Sequence, residues 1–195
     1  MPRPRRPQYE QGQYYHIYNR GANRQSIFYD KENYLFVLRR LKEYSQELGV
    51  TLIAYCLLPN HYHWLVRQDG AEAAGKLPQA VFNSYTKALN NRHHRSGTLF
   101  QGPYKVIQVE TDSHLRHLCR YIHANPVKHG IAADLTLWPY SNYLEWIGRS
   151  NGTLVDQSFV QFHFGAAEQY RQFVLEDLAA QQMPTTLEQY LQSLE

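Results

Sequence analysis

The chain has 195 residues, of which 43% are hydrophobic and 14% aromatic. This length fits one domain, or one domain with an appendage, and the composition supports a buried core, which excludes disorder as the default state. No apolar stretch is long enough to span a membrane, and the opening MPRPRRPQYEQ lacks the apolar segment of a signal peptide. The two cysteines, Cys56 and Cys119, lie in apolar runs, so we expect buried free thiols in a soluble, cytoplasmic protein.

The net charge of +3 conceals a strong asymmetry along the chain. Residues 1–130 contain 18 Lys and Arg against 9 Asp and Glu, whereas residues 131–195 contain 2 against 8. The first part is therefore typical of a body that meets a polyanion, and the second of an acidic extension that folds back onto it or stays apart from it. Residues 1–12 carry Arg3, Arg5 and Arg6 between prolines, which predicts an extended, flexible basic arm.

Seven elements are predicted in chain order. Residues 13–19 form a strand, 20–24 a turn, and 30–48 a helix with Asp30 as N-cap and Gly49 as its stop. Two strands at 50–58 and 61–67 are joined by a turn at Pro59-Asn60, and a helix at 77–95, a strand within 97–110 and a third helix follow. The order β-α-β-β-α-β-α predicts an α+β domain with an antiparallel sheet and helices on one face. Residues 131–195 are expected to form loops and two or three short helices.

The segment His61-Tyr62-His63 is a candidate metal site. Side chains alternate along a strand, so both imidazoles point to one face, within reach of a single cation. Two imidazoles leave coordination positions open, as a catalytic metal that also holds substrate requires. An isolated H-x-H pair is common, however, and by itself favours two surface histidines that happen to alternate.

The third helix, starting near Asp112 or Ser113, adds a candidate nucleophile. At 100° per residue, His114, Tyr121 and Asn125 share one face with His117 to the side, so Tyr121 is expected at the border of buried and open surface. Asn125 follows one turn later, where its carboxamide oxygen could serve the same metal. Pro126 is expected to weaken the helix and push Asn125 out of helical geometry, which makes a plain helix-end residue the alternative.

Four motifs in this order resemble the REP-associated tyrosine transposases and their insertion-sequence relatives. They are YHIYNRG, LLPNHYHWLV, GTLFQGPYKV and YIHANPVKHG, spanning roughly residues 13–145. The family has a histidine-hydrophobic-histidine motif, matched by His61 and His63, and a tyrosine nucleophile in Y-x-x-x-N-P-V, matched by Tyr121 through Val127. The chain departs at Pro103, where the family often has a basic residue, and this leaves Lys105 for the phosphate contact.

The resemblance implies a ferredoxin-like fold with a four-stranded antiparallel sheet. It implies metal-dependent cleavage and rejoining of single-stranded or hairpin DNA through a 5′-phosphotyrosine on Tyr121. The metal ion would be Mg²⁺ or Mn²⁺, bound by His61, His63 and Asn125. Either His117 or the metal ion would assist in removing the phenol proton. The catalytic domain would span residues 13–145, followed by an acidic extension at 146–195, in a protein associated with the nucleoid through DNA. Monomer and homodimer both stay open.

A basic and aromatic surface is expected to bind the DNA. The candidate residues for phosphate contact and base stacking are Arg20, Arg24, Lys87, Arg92, Arg95, Phe100, Tyr104, Lys105 and Lys128. Each one alone also fits an ordinary solvated side chain.

Two other functions compete with a strand-transfer enzyme. A domesticated protein could grip hairpin DNA without cutting it, but loss of catalysis would be expected to show at Tyr121, His61 or His63, which are intact. A metal-dependent hydrolase would use a bound water and would not need Tyr121. Relaxases and replication initiators share the histidine motif, but the YIHANPVKHG segment favours the transposase branch.

Overall fold

The computed structural model describes residues 7–180. Its strands and helices in chain order are β1 (Tyr14–Arg20), α1 (Lys31–Glu47), β2 (Val50–Leu58), β3 (His61–Gln68), α2 (Lys76–Arg92), β4 (Lys105–Val109), α3 (Asp112–Lys128), α4 (Tyr143–Trp146), α5 (Gln157–Phe164) and α6 (Ala167–Ala180). Short 3₁₀ turns lie at Ala22–Arg24 and Leu135–Leu137.

The four strands form one antiparallel sheet in the order β2-β3-β1-β4. The β2–β3 hairpin turns at Pro59-Asn60, while α1 and α2 make the two crossovers. This is the ferredoxin-like arrangement that the resemblance implied, and the fold prediction is confirmed. The central pair β1–β3 has its register set so that Tyr18 lies opposite His63.

The sheet carries helices on both faces, which corrects the expectation that they cover one face. Alternate residues of β3 separate into two apolar clusters: Tyr62 and Trp64 pack with α1 and α2, whereas Leu65 packs with α3, α5 and α6. The two crossover helices do share one face. The third helix, α3, packs on the opposite face, because β1, β2 and β3 present apolar residues there that must also be buried.

Helix α1 illustrates how local sequence sets the element boundaries. Asp30 caps the helix by accepting a hydrogen bond from the Asn33 backbone N–H at 3.0 Å. Val37 and Leu41 are fully buried and fix the helix to the sheet. Gly49 ends it with a φ of +62°, a conformation that glycine adopts at little cost.

Helix α3 passes through Pro126 and ends at Lys128, so the expected weakening before the proline is wrong. Proline cannot donate the hydrogen bond that would reach the Ile122 carbonyl. Burial offsets that loss, because the helix is buried continuously from Leu118 to Pro126 between the sheet and the C-terminal helices.

The outer edge of β2 is covered by the segment that follows the Leu135–Leu137 turn. The Leu57 N–H donates to the Tyr140 carbonyl at 2.9 Å. The Asn142 side chain accepts from the Tyr55 N–H and donates to the Ile53 carbonyl, each at 2.8 Å. A side-chain amide thus imitates a neighbouring strand and blocks this edge.

The start of the described chain is attached to the sheet. Tyr9 packs on Tyr15, whose hydroxyl accepts from the Glu10 N–H at 2.7 Å, and the Gly12 N–H donates to the Gln68 carbonyl at 2.6 Å. Residues 7–12 were predicted to belong to a flexible arm, but they are attached to the sheet. The reason is that the Tyr9 ring packs against the apolar cluster that contains Tyr15. Arg3, Arg5 and Arg6 lie outside the described residues.

The C-terminal helices share a core with α3. Phe159, Phe164 and Tyr170 belong to the same apolar cluster as Leu118 and Ile122. The predicted division between residues 145 and 146 falls within α4, and it stays a prediction. Across residues 7–180 no helix has the length and apolar character needed to cross a membrane. Both cysteines are buried free thiols, as expected.

His123 ties these parts together inside the core. Its Nδ1 lies 2.6 Å from the Tyr170 hydroxyl of α6, and its Nε2 lies 2.8 Å from Asn142 Oδ1. Burial lowers its pKa to about 4, and the bond to Asn142 offsets only part of that effect. The imidazole is therefore neutral in the folded protein at neutral pH.

We expect the free energy of unfolding to fall as the pH is lowered from 7 to 4. The unfolded chain takes up a proton at His123 near its ordinary pKa of 6.5, whereas the folded chain resists until about 4. This difference corresponds to about 3 kcal/mol. Replacing His123 with Gln should remove about that much of the decline, measured by urea unfolding at several pH values. The exposed His93→Gln control should leave the decline unchanged; an equally steep decline in both variants would contradict this account.

Candidate active site

Strand β3 presents His61 and His63 on the face covered by α3. Their ring centroids are 5.3 Å apart and nearly perpendicular. His63 is 2% exposed, while His61 lies at the strand start beside the turn and is half-buried. The predicted convergence of the two imidazoles is present.

Each of the two histidines has a hydrogen-bond partner at its Nδ1. His61 Nδ1 lies 2.7 Å from Asn60 Oδ1, and His63 Nδ1 lies 3.0 Å from Nε2 of His16 on β1. His16 is fully buried. Neither partner was predicted from the sequence, although Asn60 adjoins the motif and His16 lies within the YHIYNRG segment.

Burial keeps these imidazoles neutral. It lowers the pKa of His61 to about 4, with a further lowering by the nearby His129, while a hydrogen-bonding interaction with Asn125 raises it. Burial and then the charge of His16 lower the pKa of His63 well below its usual value. Neutral imidazole is the form that binds a metal ion.

Tyr121 projects from α3 against this pair. Its ring centroid is 5.5 Å from that of His63, and the two rings meet edge to face. The side chain is 3% exposed, so the expectation that it lies at the border of open surface is wrong. It is buried because α3 lies in the same apolar cluster as α5 and α6, and because the Lys128 ammonium sits 5.9 Å from its ring centroid.

Asn125 stays in helical geometry one turn after Tyr121. Its Nδ2 donates to the Tyr121 carbonyl at 2.7 Å, and the residue is fully buried. Its Oδ1 makes no hydrogen bond of ordinary geometry, although the amide acts on the pKa of His61. A buried carbonyl oxygen with spare acceptor capacity is unusual and suits a cation.

These three residues fit a divalent metal ion. Two neutral imidazoles and one amide oxygen form an incomplete ligand set, so further positions would be left for oxygen atoms of a substrate. Within residues 7–180, no group of three or more His, Cys, Asp or Glu is arranged to hold a metal. The fit therefore depends on the amide of Asn125.

A cavity of about 500 Å³ opens beside the histidines. Arg20, Arg24 and His129 line it together with His61 and His63. Arg24 has a φ of +57°, which is uncommon for a residue other than glycine and is typical of functional turns. Two of the predicted phosphate-binding residues thus reach the site, and His129 joins them unpredicted.

The other predicted DNA-binding residues divide between the two sides of the sheet. Lys105 lies 5.6 Å from the ring of Tyr18, which itself stacks on His63, and Lys128 approaches Tyr121. The remaining residues lie on α2 and the following loop and do not line the cavity: Lys87, Arg92, Arg95, Phe100 and Tyr104. Of these, Arg92 pairs with Asp30 at 3.0 Å and Arg95 packs on Tyr29.

Asp177 on α6 is a buried acid that pairs with two bases of α3. Its carboxylate lies 2.8 Å from Lys128 Nζ and 3.1 Å from Arg120, and its side chain is 1% exposed. Arg120 also stacks on Phe173, at 4.7 Å. The acidic extension thus docks on the helix that carries Tyr121.

We expect Asp177→Ala to lower the free energy of unfolding by about 3–5 kcal/mol, because Arg120 would stay buried without its acid. The control is Glu168→Ala on the same helix, which removes an exposed pair with Arg171 and should cost less than about 1 kcal/mol. Chemical denaturation measures both. Equal small effects would show that the Asp177 pairs contribute little.

Known proteins resemble this chain in sequence and in fold. Residues 10–125 match the family model described as "Transposase IS200 like". A protein of Haemophilus influenzae named as a REP-associated tyrosine transposase is 27% identical over 112 residues, covering 52% of this chain and 64% of that protein. A solved REP-associated tyrosine transposase, bound to a REP hairpin, superposes with a TM-score of 0.65 at 19% identity, covering 78% of this chain and 93% of that one. The latter similarity concerns the fold.

Proposed function

We propose that this chain, which belongs to the IS200-like transposase family, cleaves and rejoins single-stranded DNA through a covalent bond to Tyr121. The observation that carries the proposal is the edge-to-face contact of Tyr121 with His63, at 5.5 Å between centroids. This contact puts the Tyr121 phenol ring beside a neutral imidazole pair and near an amide oxygen, which supports its role as the nucleophile. Such a set serves phosphoryl transfer.

In the proposed reaction, the Tyr121 Oη attacks the scissile phosphorus. A new O–P bond forms, the bond from phosphorus to the 3′ oxygen breaks, and the products are a 5′-phosphotyrosine and a 3′-OH. Mg²⁺ or Mn²⁺ held by His61, His63 and Asn125 would polarise the phosphate when bound. The bond energy is kept in the phosphotyrosine, so a 3′-OH can reverse the step and join strands.

The phenol proton needs an acceptor, since an unperturbed tyrosine has a pKa of about 10. His117 precedes Tyr121 by one turn of α3. Burial lowers its pKa, and the neighbouring Arg120 lowers it further, so its imidazole is neutral at neutral pH. His117 is therefore our candidate base, which returns the proton to the leaving 3′ oxygen.

The cavity supports DNA as the substrate. Arg20 and Arg24 supply positive charge beside the histidines, and Lys105 lies on the same side of the sheet. One structural relative is bound to a REP hairpin, and we propose hairpin DNA for this chain too. Since Tyr121 is 3% exposed, its attack requires that DNA binding uncover the ring.

Replacing Tyr121 with Phe should abolish the covalent protein–DNA adduct and reduce cleavage by roughly 10³-fold or more, because the ring is kept but the attacking hydroxyl is lost. Labelled hairpin DNA with a single-stranded flank, incubated with Mn²⁺ and run on denaturing gels, measures both. The control is Tyr18→Phe, which alters the other tyrosine stacked on His63, at 5.8 Å, and should keep the adduct. Cleavage that persists without an adduct would instead indicate a metal-activated water, and tight hairpin binding by the native chain without cleavage would indicate a non-catalytic binder.

His61→Ala should weaken Mn²⁺ binding at least tenfold and reduce adduct formation in parallel, because one of three ligands is lost. Isothermal titration calorimetry measures the binding. His129→Ala is the matched control, since that ring lies 5.2 Å from His61 in the same cavity and is assigned no metal. Equal losses of Mn²⁺ affinity in both variants would contradict the assignment of His61 as a ligand.

A further inference from the structure

His61 and His63 have different hydrogen-bond partners at Nδ1. Asn60 determines which nitrogen of the His61 ring carries the proton. The Asn60 Nδ2 donates to the Arg24 carbonyl at 3.2 Å, so the Asn60 Oδ1 faces His61 Nδ1 at 2.7 Å. An amide oxygen only accepts hydrogen bonds. His61 therefore carries its proton on Nδ1, and its Nε2 lone pair is left for a ligand.

At His63 the hydrogen-bond partner is the imidazole of His16 rather than an amide. Its Nδ1 lies 3.0 Å from His16 Nε2, and each of these nitrogens can donate or accept. Since the two nitrogens face one another, neither can at the same time bind the metal. Through this pair of nitrogens His16 acts on His63 rather than on the metal ion directly.

We infer that His16 is a positioning residue: its Nε2 accepts the Nδ1 proton of His63 and so turns the His63 Nε2 lone pair toward the metal. Metal-bound histidines commonly donate their other N–H to a carboxylate, a carbonyl or water. Here a fully buried neutral imidazole takes that place. The inference rests on the metal site of the proposed function.

The surroundings of His16 make this arrangement rigid. Tyr18 stacks on His16 at 4.9 Å and on His63 at 5.8 Å, with interplanar angles of 23° and 18°. The β1–β3 register brings the two strands together here, pairing Tyr18 with His63 and His16 with Leu65. Rotation of either imidazole would break both the stack and the hydrogen bond. The sheet itself thus fixes the orientation of the ligand.

The first test is the tautomer of His63 in the full-length, metal-free protein, measured by long-range ¹H–¹⁵N correlation spectra of ¹⁵N-histidine. We expect the Nδ1–H form for both His61 and His63, with the His63 signals assigned through His63→Gln. An Nε2–H tautomer of His63 would overturn the inference, whatever the metal affinity.

The second test is Mn²⁺ affinity by isothermal titration calorimetry. His16→Phe keeps a ring but removes the acceptor and should weaken binding about 10–100-fold. His16→Gln restores an acceptor oxygen and should recover most of the affinity, a rescue that simple loss of packing would not give. The control is His93→Phe, the same substitution at an exposed histidine after α2, which should bind Mn²⁺ like the native chain.

The outcomes separate the inference from the proposed function. Native Mn²⁺ binding with unchanged affinity in folded His16→Phe, checked by circular dichroism, would overturn the role of His16 alone. No Mn²⁺ binding by the native chain would overturn the metal site and the inference together. If His16→Phe does not fold, the native tautomer and the Mn²⁺ affinity of His16→Gln relative to the native chain still decide.

Discussion

The antiparallel pairing of β1 with β3 is the constraint on which the site depends. Its register places His16 and Tyr18 beside His63, so one strand carries the ligand and its neighbour carries the groups that hold it. A shift by one residue would turn the histidines to the α1–α2 side and break this set. The buried aromatic residues on both faces fix the register, since they cannot be exchanged between faces without exposing apolar surface.

Helix α3 brings the second half of the chemistry to this strand. It lies on the histidine face because the apolar surface there needs cover, and the same packing carries Tyr121 to His63 and Asn125 toward His61. Burial has a second consequence, because it holds the imidazoles neutral and leaves the Asn125 oxygen without a hydrogen bond of ordinary geometry. Packing and the proposed metal binding thus depend on the same desolvation.

The C-terminal helices are structurally continuous with the site. α6 supplies Asp177 to the basic side chains of α3 and Tyr170 to the buried His123, so the acidic charge that the sequence concentrates at this end is partly used inside the fold. This contact also explains why Tyr121 is buried rather than open. The exposure of the Tyr121 ring is therefore linked to the packing of the extension on α3.

The sequence by itself determined the elements and the chemical groups. Alternation placed His61 and His63 on one face, Asp30 and Gly49 bounded α1, and four motifs pointed to the family that the comparisons show. Only the tertiary structure decided which face α3 covers, that it continues through Pro126, and that His16, Asn60 and His129 join the site. Periodicity and capping act between residues close in the chain. Strand register and helix packing instead join residues far apart, whose energies no local pattern contains.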